Sequence, residues 1–132
     1  MIQKFRFQTR IGDINYGGHM GNDKFLLLFH DARLQFLKQF GFSEINIGEN
    51  TSLIMTEAYV SFKGEVFLGD EIEIEVKIGE MQKIRFKMEY SAKRVSDAKL
   101  VATGFTTLAA FDYGSRKICK IPEIFINTIG LE

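Results

Sequence analysis

The side chains best suited to chemistry crowd into one short stretch, Asp13 to Asp23, which reads DINYGGHMGND. It holds two carboxylates (Asp13, Asp23), two carboxamides (Asn15, Asn22) and an imidazole (His19), with Gly17, Gly18 and Gly21 between them. A carboxylate or a neutral imidazole can accept a proton from water, whereas a carboxamide can only orient a water or hydrogen-bond a substrate oxygen. The glycines let backbone come close to a ligand, although they equally serve a tight turn. Asn15 is open to two readings, an active-site group or a turn residue bonded to its own backbone. His19 likewise either positions substrate or water, or packs the loop against the entrance of the element that follows.

That element is the one long helical pattern in the chain. Apolar residues run from Phe25 to Phe29 and continue at Ala32, Leu34, Phe36, Leu37 and Phe40. At about 100° per residue, Lys24, Asp31, Gln35, Lys38 and Gln39 share one narrow stripe, so the pattern predicts a helix wetted on little of its surface and wrapped by something larger. Asn22 or Asp23 is the expected N-cap, and Gly41 marks the stop. Everything else reads as strand. Residues 2–10 alternate, residues 53–62 are rich in β-branched and aromatic side chains, and residues 71–78 (EIEIEVKI) alternate without a break. The alternation resumes over 84–90, which predicts a hairpin whose glutamates face Arg85 and Lys87. A last strand, 100–111, carries small residues on both faces, as suits a central strand. The tail holds the only proline, Pro122, and an apolar run from Ile124 to Ile126 that should lie back on the body. The order of strand, long helix and four strands predicts an α+β fold, an antiparallel sheet wrapped around one long central helix, in a single domain over residues 1–132.

Composition removes several function classes. The formal net charge is zero, so there is no general footprint for nucleic acid. No apolar run is long enough for a membrane span, and the first residues lack a signal-peptide plan, which leads to the expectation of a cytoplasmic protein. The single cysteine, Cys119, has no partner for an internal disulfide and no metal-ligand companions, so no metal is expected.

The motif Asp-x-Asn-x-Gly-Gly-His-x-x-Asn, formed by Asp13, Asn15, Gly17, Gly18, His19 and Asn22, resembles the active-site loop of the hotdog-fold acyl-CoA thioesterases, in particular the 4-hydroxybenzoyl-CoA thioesterase branch. Asp31-Ala32-Arg33, Gly69-Asp70, Asp112 and Pro122 extend the similarity over nearly the whole chain. The resemblance implies a hotdog fold and hydrolysis of an acyl-CoA or acyl carrier protein thioester. CoA would enter only as part of the substrate, with no other cofactor. The thioester oxygen would sit at the helix N-terminus near Asn22, where free N–H groups meet developing negative charge. It further implies a homodimer or homotetramer with the acyl pocket between subunits. One departure stands out. The family carries a second loop carboxylate where this chain has Asn15, so either another group serves as base or hydrolysis has been lost. The competing readings are a non-catalytic acyl-thioester binding protein and, with less support from the loop, a dehydratase or isomerase using His19.

Asp23 and Glu57 are the carboxylates that could replace the missing base, Glu57 by reaching a neighbouring subunit's site; its other reading is a solvated outer-face residue. Lys63, Lys83, Arg85 and Lys87 are candidates for the CoA phosphates, or an ordinary solvated face. His30, inside the helix, is expected to be structural. Arg33 falls on the apolar helix face and is expected to pair with Asp13 or Asp31.

Overall fold

The computed structural model describes residues 2–129. Its elements are β1 (Ile2–Gln8), α1 (Asn22–Gln39), β2 (Ser52–Phe62), β3 (Glu71–Met81), β4 (Arg85–Arg94), β5 (Leu100–Asp112), β6 (Lys117–Ile118) and α2 (Glu123–Thr128). The strands form one antiparallel sheet in the order β1-β3-β4-β5-β2, with β6 added to β5. The strict alternation of β3 and β4 decides which face is inner. Ile72, Ile74, Val76, Phe86, Met88 and Tyr90 are buried on one side, while their charged neighbours face out.

The helix α1 lays Phe25, Phe29, Ala32, Arg33, Phe36 and Leu37 on that inner face. The Phe29 ring stacks on Tyr90 at 4.8 Å, and the Phe25 ring meets Phe62 edge-on at 5.6 Å. The sheet covers the helix on one side only. Leu27 and Leu34, expected to be wrapped, remain 55% and 42% exposed, because one sheet curling past a helix leaves the opposite apolar flank in solvent.

Strand β5 is central, as its small residues require. A Cβ on Gly104 would lie 2.3 Å from the Tyr59 carbonyl oxygen and 3.1 Å from the Phe29 ring. The expected facing of β3 glutamates with Arg85 and Lys87 does not occur. Strand β3 runs on through the expected turn to Met81 and the chain reverses over 82–84, with a one-residue register shift between Ile78 and Met81, so Glu73 is opposite Lys93 and Lys77 opposite Glu89. Glu75 and Glu73 also reach across to Lys4 and Arg6 on β1. In the tail, α2 returns to the body through Phe125, fully buried between Phe42 and Phe86.

Candidate active site at the helix entrance

The loop before α1 is a small hairpin. Ile14 and Met20 form an isolated antiparallel bridge. The Asn15 N–H donates to the His19 carbonyl at 2.9 Å, and the Gly21 N–H to the Asp13 carbonyl at 3.0 Å. Met20 is buried, and its N–H donates to the Val66 carbonyl at 2.7 Å, which ties the hairpin to the chain leading into β3. The tip reverses at Gly18, whose φ of +84° lies in the left-handed region that glycine tolerates. Tyr16 projects fully into solvent there.

Within this frame the Asn15 Oδ1 accepts the Gly17 N–H at 2.9 Å, an Asx turn that holds the carboxamide against its own loop. The His19 Nδ1 lies 3.1 Å from the Met20 carbonyl oxygen. Donation to that carbonyl places the proton on Nδ1, which leaves Nε2 as an acceptor in the neutral ring. The Nε2 side faces Gly17, where an added Cβ would lie 3.4 Å away.

The helix starts at Asn22, but neither Asn22 nor Asp23 caps it. The N-cap is Gly21, without a side-chain cap hydrogen bond. The Asn22 and Asp23 N–H groups have no acceptor among the described residues. A side-chain cap would accept from the second or third N–H of the helix; without one, the entrance keeps both donors and the positive end of the helix dipole free. Two side chains border this point. A Cβ built on Gly21 would lie 2.7 Å from Asp23 Oδ1 and 3.9 Å from Asn15 Cβ. Asn15, Asp23 and the uncapped backbone therefore converge on Gly21.

From Asp23 a cleft of about 440 Å³ runs along α1, lined by Leu26, Leu27, His30 and Arg33 of the helix, Leu53 and Met55 of β2, and Glu44 of the intervening loop. Asp23, Leu26, Leu27, His30 and Arg33 recur at the spacing of one helix face. Apolar walls end in a polar cluster. Arg33 Nε donates to Glu44 Oε2 at 2.6 Å, and His30 Nε2 lies 2.9 Å from Glu44 Oε1. Behind them Arg33 Nη1 donates to the Tyr90 hydroxyl at 3.1 Å, which contacts Thr106 Oγ1 at 2.7 Å. Burial alone would raise the Glu44 pKa, but the hydrogen bond and charge of Arg33, then of His30, carry it below the ordinary carboxylate value. Burial opposes the Arg33 charge, yet Tyr90 and Glu44 together hold its pKa above normal. Burial moves the Tyr90 hydroxyl upward.

Arg33 thus pairs with Glu44 and Tyr90, not with Asp13 or Asp31. Asp13 instead accepts the Arg10 N–H, and Asp31 accepts from Gln35. Sequence reasoning missed Glu44 because it lies in an irregular loop with no period to assign it a face; the only signal was that a buried guanidinium needs some carboxylate. His30 is bound to Glu44 as a structural histidine would be, but it also borders the cleft.

Glu57 lies elsewhere. It is exposed on the outer face of the sheet, at a register shift in β2, and accepts from Thr107 Oγ1 at 2.7 Å. It shares a shallow groove with Arg85 and Lys87. Lys83 is exposed in the β3–β4 turn, and Lys87 sits 4.6 Å over the Phe105 ring. Within one chain, Arg85 is in register with Ala109 and through it with Ile54, toward the end of β2 opposite Phe62, which meets the start of α1. Lys63 directly follows Phe62. No cluster of three or more His, Cys, Asp or Glu side chains suited to a metal occurs among the described residues. No helix among them is long and apolar enough to cross a membrane.

The model of the thioesterase-like superfamily matches residues 9–129. No curated protein matches the sequence. Among solved structures, a 1,4-dihydroxy-2-naphthoyl-CoA thioesterase from Synechocystis superposes with a TM-score of 0.89 at 22% identity, over 98% of this chain and 96% of the other. A protein from Staphylococcus aureus in complex with CoA gives 0.88 at 19% identity, over 98% and 82%. A gentisyl-coenzyme A thioesterase gives 0.85 at 19%, over 97% and 100%. At these identities the likeness establishes a shared fold, an antiparallel sheet with a helix packed on it.

Proposed function

The chain belongs to the thioesterase-like superfamily, and on that footing we propose that it hydrolyses the thioester of an acyl-CoA or an acyl carrier protein. The observation that carries this reading is the uncapped start of α1, with two free N–H donors beside Asn15 and Asp23. The thioester carbonyl oxygen takes its place against the Asn22 and Asp23 N–H groups. As water attacks the carbonyl carbon, that oxygen gains negative charge which the backbone donors and helix dipole stabilise, at about 2.7–4 kcal/mol for one such donor in comparable sites. The Asp23 carboxylate accepts the proton of the attacking water, filling the role that Asn15 cannot. Collapse of the tetrahedral intermediate expels the thiolate, which is protonated to the free thiol. His19, with Nδ1 committed to Met20, offers Nε2 to hold the water or the substrate. No metal or additional cofactor enters.

The cleft opens beside β2, which among the described residues is an edge strand paired with β5 alone, and where Met55, Tyr59 and Phe62 are 47%, 54% and 46% exposed. An edge this long invites pairing. A second copy joined along it would close the cleft and cover Leu27, giving a homodimer or a tetramer built from it. Lys63, Lys83, Arg85 and Lys87 are then placed to meet the CoA phosphates across subunits, and Glu57 to approach the partner's site. A stable monomer in sedimentation at micromolar concentration removes this shared site. Charge reversal at Lys83 and Arg85 should raise KM for CoA esters and leave kcat in place.

One observation favours a second reading. Asn15 spends its oxygen on Gly17, as a turn residue does, which suits a protein that binds acyl thioesters without cleaving them. Release of free thiol from a panel of acyl-CoAs decides between the two. Turnover that disappears in Asp23→Ala supports hydrolysis, and tight binding without turnover supports the binding protein.

A further inference from the structure

The other edge of the sheet borders a second cleft. Among the described residues β1 pairs with β3 alone, so its outer edge has no strand partner. Just past the strand the Thr9 N–H donates to the Asp70 carbonyl at 3.0 Å, and the pairing of β1 with β3 runs without a register shift. Alternate residues of an antiparallel ladder turn their N–H and C=O to the same neighbour. Counting back from Thr9, Phe5 and Phe7 bond to β3, while Lys4, Arg6 and Gln8 direct theirs to the open edge. Between that edge and α1 runs a cleft of about 660 Å³, bordered by Arg6, Phe7, Gln8 and Arg10 and by Leu28 and Leu34 of the helix. Its two carboxylates are engaged locally, Asp13 with the Arg10 N–H and Asp31 with Gln35.

The side chains of β1 define what can pair there. Residues 2–10 carry three cations, Lys4, Arg6 and Arg10, and no carboxylate. On the occupied side β3 meets them with its alternation of acidic and apolar residues. Glu75 lies 3.5 Å from Lys4, and Glu73 and Glu71 lie 3.4 Å and 3.8 Å from Arg6, while Ile74 and Ile72 stand opposite Phe5 and Phe7. We propose that the open edge of β1 takes up an extended segment of another protein, alternating acidic and apolar residues as β3 does, as an added antiparallel strand. Its acids lie opposite Lys4 and Arg6 on the outer face, and its apolar residues opposite Phe5 and Phe7, towards Leu28 and Leu34. A second copy of this chain does not fit. Pairing β1 with β1 sets Lys4 and Arg6 against cations, which guards the edge against itself. Strand β3 is already paired on both edges, and β2 carries a single acid, Glu57. The site stands at the opposite edge of the sheet from β2 and does not depend on the thioesterase reading.

The probe is a fluorescein-labelled octapeptide, EIEIEVKI, copied from residues 71–78, beside its charge-swapped counterpart KIKIKVEI. Fluorescence anisotropy should show the acidic peptide binding about tenfold or more tightly than the swapped one, because two attractive cross-strand pairs become two repulsive ones. Hydrogen–deuterium exchange should slow at the Lys4, Arg6 and Gln8 amides when the acidic peptide binds. Lys4→Pro removes an open-edge N–H and leaves the bonds to β3 in place, so binding should fall about tenfold or more while the thermal melt stays cooperative. Leu34→Glu, at a half-exposed position, should also weaken binding, and it carries the test if the proline variant fails to fold. The absence of saturable binding, equal affinity for the two peptides, protection confined to the β2 edge, or binding unchanged in either folded variant overturns the proposal. None of these readouts uses hydrolysis, so its failure and that of the thioesterase reading are separate results.

Discussion

Glu44 Oε2 lies 2.6 Å from Arg33 Nε and is the only carboxylate among the described residues that pairs with this guanidinium, which is itself buried on the inner face of α1. The pair fastens an irregular loop to the middle of the helix. Removing one member leaves the other charge buried and uncompensated, which costs more than the pair itself contributes. Glu44→Ala should therefore destabilise the fold by about 3 kcal/mol, the lower end for a buried pair, because Glu44 keeps part of its side chain in solvent. Urea unfolding of the variant beside the parent measures it.

The same carboxylate predicts an acid limb in stability. Its pKa is lowered from the usual 4.5 on folding, so the unfolded chain binds its proton more readily than the folded one. The stabilisation is complete above that usual value and is lost as pH falls below it through the folded pKa. Glu44→Gln should flatten the slope of unfolding free energy between pH 5 and 3 relative to the parent. An identical slope in both proteins would assign the acid sensitivity to other groups.

Asn15→Asp restores a carboxylate beside the free donors of α1. If an unmet need for a base limits turnover, hydrolysis should rise by about tenfold or more, towards the ~10²–10⁴ that general-base catalysis supplies. A sharp fall would mean that the carboxamide is already matched to Asp23. Equal rates in the Asp and Ala variants would take Asn15 out of the site.

Gly21→Ala separates position from folding. The backbone there, φ −67° and ψ 147°, accepts any residue, but the new methyl would intrude on Asp23 Oδ1 at 2.7 Å. The exposed Asp23 side chain can swing away at little cost. Stability should stay within about 0.5 kcal/mol, while kcat falls as the carboxylate leaves its place. Thermal melts and steady-state rates on one preparation read both effects.

Gly104→Ala should do the opposite. Its methyl would meet the Tyr59 backbone oxygen, which cannot move without parting β5 from β2. A loss of about 3 kcal/mol or more is expected, at the upper end for overpacking. Soluble, normally melting protein would show that the sheet relaxes there.

Much of this protein is local in origin and was therefore legible in the sequence. The alternation of Glu71 to Ile78 sorts inner from outer side chains because strands repeat every two residues, whatever the strand pairs with. The apolar repeat of α1 and the glycine loop before it follow from the same short-range rules, and so do the small residues of a crowded central strand. What pairs with what was decided by tertiary structure. The turn after Met81, later than the alternation predicts, moved the glutamates away from Arg85 and Lys87, since register depends on where the chain reverses and on the whole ladder, not on one strand's pattern. Asn22 and Asp23 are good capping residues by type, yet Gly21 takes the cap because the hairpin bond to Asp13 sets where the chain turns. Glu44 found Arg33 across an aperiodic loop, where proximity comes from chain folding alone. The free helix entrance and the polar end of the cleft are both products of such long-range placement.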